Sequence, residues 1–163
     1  MVDFLTLASA CSTVTSLSEV NLRAGVSFGV SGRRDPAPQA SWLHQVHGNQ
    51  IVEAARGSQQ FDLSKEQRTL GDGIYSRQQG ETVAVRTADC LPIVLVSSSM
   101  VMAVHAGWRG LACGIVSSAV QKFAAMGIDT KELEVVLGPC ITASVYEVGY
   151  EVVERCKQII PMT

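Results

Sequence analysis

Hydrophobic and polar positions change their period several times along this chain, and each change marks an element. Short β-branched apolar runs at 50–54, 82–87, 91–96, 101–105 and 134–138 predict strands. Two later stretches switch to helical spacing. Across 108–126, Leu111, Ile115, Val116, Ala119, Val120 and Phe123 form one stripe, and Gly127 stands where a C-terminal cap belongs. Across 145–160, Val145, Val148, Val152, Cys156 and Ile159 form a second stripe. Ser144 and Glu147 make a capping box at its start, and Pro161 follows its end. The polar stretches 32–41 and 56–73, the latter ending in Gly-Asp-Gly, read as loops. Strands interleaved with helices, without an internal repeat, predict one α/β (α+β) sandwich domain over residues 1–163.

Composition narrows the class of partner more than it changes the fold. A chain of 163 residues can bury a core without disulfides, and 47% hydrophobic against 17% charged residues is globular composition. A formal net charge of −2 provides no basic footprint for nucleic acid or an anionic membrane. No apolar run approaches the roughly 18 residues that span a bilayer. The first eleven residues resemble an export leader faintly, but Asp3 stands where such a leader carries Lys or Arg, so that reading is rejected. Five cysteines at irregular spacing form no disulfide framework, which points to a reducing cytoplasm.

Three motifs concentrate the chemistry: Gln45-Val46-His47-Gly48, Thr87-Ala88-Asp89-Cys90 and His105-Ala106-Gly107-Trp108-Arg109-Gly110. If they converge, His47, Cys90 and His105 make a three-ligand site with an open position, the arrangement of a catalytic zinc. A tight turn at Ser97-Ser98 would pair Val96 with Ser99 and set Cys90 opposite His105. Cross-strand Cβ atoms lie about 4.5–5.5 Å apart, which suits two ligands of one ion, although a one-residue slip would undo the pairing. His47 is not placed by spacing, and by itself it reads as a structural histidine, as does His44. Cys90 by itself reads as a small buried hydrophobe. Arg109, near Gly107 and Gly110 at a helix start, suits an anion such as phosphate; away from such a site it is a surface residue. Asp72, between two glycines, is either an acid/base carboxylate or a turn stabiliser, with the turn reading favoured. Cys11, Cys113, Cys140 and Cys156 read as structural, Cys140 lying in a loop after Gly138-Pro139.

Taken in order with Gly71-Asp72-Gly73, Leu91-Pro92, Gly138-Pro139 and Tyr146-Glu147-Val148-Gly149, these motifs resemble the YfiH-like laccase-domain family across roughly residues 40–155. That family is also called polyphenol oxidase or peptidoglycan editing factor. The resemblance implies a layered sandwich of mixed sheets, with His47, Cys90 and His105 as zinc ligands. It implies purine nucleoside phosphorolysis, with adenosine, inosine or methylthioadenosine and phosphate as small-molecule partners, and an adenosine deaminase activity. In phosphorolysis Arg109 would position phosphate; in deamination a carboxylate such as Asp72 would shuttle protons. Copper-dependent phenol oxidation and peptidoglycan precursor editing have also been attributed to the family. Copper could occupy the site, since affinity order favours it over zinc, but laccase chemistry needs more ligands than three histidines supply. Two features depart from the family pattern. The segment between Ser27 and Trp42 is short. The sequence stops at Thr163, where members continue with a further αβ portion carrying a Cys-Thr-Tyr motif and an Arg-Arg motif. Substrate contacts from that portion are expected to be lost or to come from another chain, and the surface left exposed by a missing sheet segment would favour self-association. Two alternatives stand beside the zinc enzyme: a metal-independent hydrolase pairing Cys90 with His105, and a metal-binding fold without turnover.

Overall fold

Two adjacent apolar runs, Leu91–Val96 and Val101–Ala106, pair at the centre of the molecule. The computed structural model describes residues 40–54 and 69–159 in full, with the backbone of strands at 6–9, 20–21 and 27–32. A three-stranded sheet joins β1 (Thr6–Ser9), β3 (Ser27–Gly32) and β2 (Val20–Asn21), with β3 parallel to β1 and antiparallel to β2. The larger sheet contains β4 (Ile51–Glu53), β5 (Gly73–Ser76), β6 (Leu91–Val96), β7 (Val101–Ala106) and β8 (Glu134–Leu137). Its order is β4-β5-β7-β6-β8, with β4–β5 parallel and the other pairs antiparallel.

Strands β6 and β7 are apolar except at His105 because both faces of the sheet are covered. On one face Val94, Val96, Val101 and Ala103 pack with Leu43, Val83 and Val85. On the other, Ile93, Leu95, Met102 and Val104 receive Ile115, Ala119 and Phe123 from a helix. The molecule is thus a layered α+β structure, as the alternation of periods predicts, with the mixed sheets that the family resemblance implies. Among the described residues no helix is long and apolar enough to cross a membrane.

Several predicted elements take a different form. The helix expected across 108–126 is two: α1 (Trp108–Ala112) and α2 (Ile115–Ala125), separated at Gly114, whose φ of 82° leaves the helical region. Ile115, Ala119 and Phe123 of the predicted stripe are buried, whereas Leu111 and Val116 are exposed. Helix α3 spans only Tyr150–Lys157, with extended Gly149 at its N-cap, so Ser144 and Glu147 do not cap it. The chain around 142–145 forms a turn closed by Val145 N donating to Thr142 O at 3.1 Å. The stretch 82–87 is not a strand. Its backbone bonds to Ser41, while the Gln45 side chain receives Arg86 N at 2.7 Å and donates to Arg86 O at 2.8 Å, substituting for a neighbouring strand. Strand β5 emerges directly from the Gly-Asp-Gly that sequence reads as the end of a loop. Most of the loops at 32–41 and 56–73, together with Cys11 and the leader-like N-terminus apart from the β1 backbone, lie outside the described residues.

Candidate metal centre

His105 is set by β7, and the pairing of that strand on both sides decides its surroundings. The turn before β7 is longer than a two-residue hairpin. Ser97 N donates to Met100 O at 2.8 Å, and Ser97 Oγ accepts from Met100 N at 3.0 Å. Val96 therefore pairs with Val101 rather than Ser99, and Pro92, not Cys90, lies opposite His105. The expected direct Cys90–His105 pairing is wrong by two residues. Because side chains alternate with period two, that slip keeps Cys90 on the face carrying His105.

On the other edge of β7 the same cross-strand logic reveals a contact that spacing missed. The β5–β7 register, Gly73 with Val104, continues to Asp72 opposite His105, and His105 N donates to Asp72 O at 2.7 Å. The Asp72 carboxylate, fully buried, lies 2.9 Å from His105 Nδ1 through Oδ1. With that nitrogen engaged, His105 Nε2 is the one left to bind an ion, the carboxylate–histidine arrangement that orients metal ligands.

Asp72 also builds the turn that carries His47. Val46 N and Gly48 N donate to Oδ2 at 3.2 and 2.7 Å, and His47 N donates to Oδ1 at 2.9 Å. Three consecutive backbone N–H groups thus close on one carboxylate as an anion nest. The turn forces His47 to φ 60°, the left-handed region that non-glycine residues seldom adopt. Asn49 Nδ2 donates to Cys113 O at 2.7 Å and fastens the turn to the end of α1.

These contacts bring His47, Cys90 and His105 together, with one ligand atom from each lying within 4.8 Å of the others. The His47 and His105 rings meet edge-on, their centroids 4.7 Å apart and their planes at 82°. Ordinary zinc bonds to two nitrogens and one sulfur would space the three atoms by roughly 3.3–3.6 Å, so a small inward adjustment completes the set. Gly107 makes the approach possible: a Cβ there would meet His47 Cδ2 at 2.9 Å and Cys90 Sγ at 3.0 Å. Its φ of −77° is open to any residue, so space rather than backbone freedom is what glycine supplies. His105 is buried, Cys90 half-buried and His47 exposed, which leaves the open side of the donor set toward solvent. Burial first, then the Asp89 and Asp72 carboxylates, pushes the Cys90 thiol above its ordinary value. A bound cation reverses that direction.

Beside Cys90 lies a cavity of about 180 Å³ whose walls include Trp108, Leu111, Ile141 and Tyr146. Arg109 is exposed on α1, with its guanidinium carbon 4.3 Å from the Trp108 ring centroid. His44 stands apart, exposed and bridged to Leu70, and Arg109 belongs neither to the three-donor set nor to the lining of this cavity.

Comparison with known proteins identifies the family. Residues 31–163 match the family described as multi-copper polyphenol oxidoreductase laccase. A Pseudomonas aeruginosa protein named purine nucleoside phosphorylase PA4543 is 42% identical over 114 residues, 69% of this chain and 42% of that protein. Adenosine deaminase RL5, from an unknown prokaryotic organism, is 34% identical over 118 residues, 70% of this chain and 45% of its own. The crystal structure of Bacillus licheniformis hypothetical protein YfiH superposes with a TM-score of 0.66 at 25% identity, over 76% of this chain and 48% of that one. The match thus spans half or less of the length of the curated relatives. By the family match and these relatives, the chain belongs to the YfiH family of multi-copper polyphenol oxidoreductase laccase-type proteins.

Proposed function

We propose that this chain carries a single-zinc centre for purine nucleoside phosphorolysis, with adenosine, inosine and methylthioadenosine as the substrate class. The observation that carries this reading is the convergence of His47, Cys90 and His105 beside a cavity walled by Trp108 and Tyr146. The two His and one Cys suit zinc, whose Lewis acidity would stabilise charge on a reacting oxygen. Trp108 and Tyr146, which line the cavity, would give a flat purine aromatic surface to pack on. Arg109 offers a fork of donors for phosphate. Helix α1 is a single turn, so the anion attraction rests on that guanidinium more than on the helix start. Asp72 acts through others in this reading. Its oxygens already face four donors, so it orients His105 and holds the His47 turn rather than shuttling protons.

A single site also accounts for the histidine count. His44 lies away from the cluster, so the chain has no second histidine pair for the several coppers of laccase chemistry. The metal-free hydrolase reading loses ground because the Cys90 thiol is pushed up rather than down, the wrong direction for a resting thiolate nucleophile. The Asp72–His105 contact through Nδ1 does not separate the two readings, since it orients a general base as well as a metal ligand. Adenosine deamination is kept as a second reading because a relative is named for it.

The test combines metal content with product analysis on the 163-residue chain. The expected result is one zinc per chain, lost in both Cys90→Ala and His105→Ala, and phosphate-dependent release of adenine or hypoxanthine. Ammonia and inosine from adenosine without phosphate dependence would shift the assignment to deamination. Zinc bound with no turnover of any nucleoside would overturn the enzyme reading, and turnover by fully metal-free protein would overturn the metal.

A further inference from the structure

The geometry points to Cys140 as a redox partner of Cys90: the two thiols form a reversible disulfide that withdraws Cys90 from the metal centre. This regulation rests on the metal-centre reading above. Strands β6 and β8 pair antiparallel, with Ile93 opposite Leu137. Beyond Leu137 the chain stays alongside the segment leading into β6. Gly138 N donates to Pro92 O at 2.9 Å, and Ile141 N donates to Asp89 O at 2.9 Å. These two bonds bracket Cys90 and Cys140 on facing segments; the bonds fall three residues apart rather than two or four, so the regular ladder ends before the pair, but both cysteines stay between its last rung and the Ile141–Asp89 bond. Directly opposed antiparallel residues have Cα atoms about 4.5–5.5 Å apart. A disulfide needs about 4.4–6.8 Å, a span that residues on such bracketed neighbouring segments can meet.

Both cysteines line the cavity beside Trp108. Cys140 is exposed and Cys90 half-buried, so an oxidant reaches Cys140 first. Cys140 stands outside the three donors that converge within 4.8 Å, so holding the ion does not require it. The other described cysteines, Cys113 and Cys156, do not line this cavity.

A hydroperoxide is the oxidant. The Cys140 thiolate attacks one peroxide oxygen, the O–O bond breaks, and hydroxide (or alkoxide) leaves, giving a sulfenic acid at Cys140. Cys90 Sγ then attacks Cys140 Sγ, the S–O bond breaks, and hydroxide leaves, taking up a proton to become water. Two thiols supply two electrons, and hydrogen peroxide becomes two waters. The Cys90 sulfur, now neutral and disulfide-bonded, no longer serves as a thiolate ligand, and two histidines alone hold the ion weakly. A dithiol reverses the reaction by exchange.

The experiment exposes the zinc-loaded 163-residue chain to equimolar hydrogen peroxide. Non-reducing peptide mass mapping and a chromophoric zinc indicator are followed together. The expected result is a Cys90–Cys140 cross-link appearing in step with zinc release, both reversed by dithiothreitol. Cys140→Ser and Cys140→Ala should hold zinc as well as the native chain before oxidation and release it roughly tenfold more slowly afterwards. Cross-linking of Cys90 to another cysteine, native-rate release from both variants, or loss of zinc from both before oxidation would each overturn the proposal; the last would make Cys140 a ligand. The cross-link is also scored in metal-free chain. A chain that binds no zinc but still joins Cys90 to Cys140 therefore refutes the metal centre and not the thiol pair.

Discussion

Asp72 shows how much of this site hangs on a residue that need not touch the ion. One carboxylate accepts three backbone N–H groups of the His47 turn and faces His105 Nδ1. Asp72→Asn preserves the shape but turns an N–H₂ toward donors. Metal affinity should fall about 10–100-fold, as for other partners that orient ligands. Stability should fall by about 1–3 kcal/mol from the donors left unpaired in a buried place. Competition against a chromophoric chelator and thermal melts measure the two effects; unchanged affinity would remove Asp72 from the site. His47 supplies a complementary test, since its left-handed φ of 60° costs a non-glycine residue about 1–2 kcal/mol. His47→Gly and His47→Ala should both lose metal, yet the glycine variant should be the more stable metal-free protein by about 1 kcal/mol. Equal melting of the two would mean that the turn is not strained. Sequence made Cys90 and His105 legible as neighbours through the alternation of strand faces. It left Asp72 open between two roles because the deciding contact, opposite His105 across β5, depends on a strand that sequence reads as loop.

Elements were legible where the apolar period was local and uninterrupted, and illegible where a single residue overrode it. The stripe from Leu111 to Phe123 continues in phase through Gly114, so periodicity alone gives one helix, while the φ of 82° at Gly114 makes two. A Cβ at Gly114 would meet nothing within 4 Å, so the cost of Gly114→Ala is purely that of the backbone. It should destabilise the fold by about 1–2 kcal/mol, read from urea unfolding with unchanged slope. A stabilised variant would show that the helix break is not enforced. Strand pairing offers a second test, because Tyr75 OH donates to Glu53 Oε2 at 3.2 Å across the parallel β4–β5 pair. Burial first, then Glu53, pushes the Tyr75 phenol above its ordinary value of 10.0. An acid that stays protonated longer when folded contributes stability in full below its unfolded value. That contribution is lost as pH rises through the higher folded value. Melting temperature should therefore fall in the alkaline range above about pH 10, and Tyr75→Phe should flatten that fall. An equally steep decline in the variant would assign it to other groups.

At the scale of the whole molecule, the fold class followed from composition and alternating periods, but the strand order did not. Placing β5 between β4 and β7 requires contacts between distant segments that no local pattern encodes. The same non-local wiring makes the proposed metal a cross-link. His47 stands on a turn before β4, Cys90 on the approach to β6, and His105 on β7, so one ion would fasten three segments that the backbone alone joins only through the sheet. Zinc should bind the folded chain far better than the unfolded one, which offers the same donors without their arrangement. At about one hundred times the dissociation constant of free ion, mass action then adds about 2.7 kcal/mol to stability. For a chain of this size that corresponds to a melting shift of roughly 5–11 °C. Stripping the ion with a strong chelator should remove the whole increment, and restoring zinc should return it. Hydrogen exchange locates the effect, with amides at 46–48, which already donate to Asp72, slowed most by the ion, and those of α2, on the opposite face of the sheet, slowed least. Equal slowing throughout the chain would mean that the ion acts on global unfolding alone; no melting shift would mean that the three donors meet for a reason other than metal.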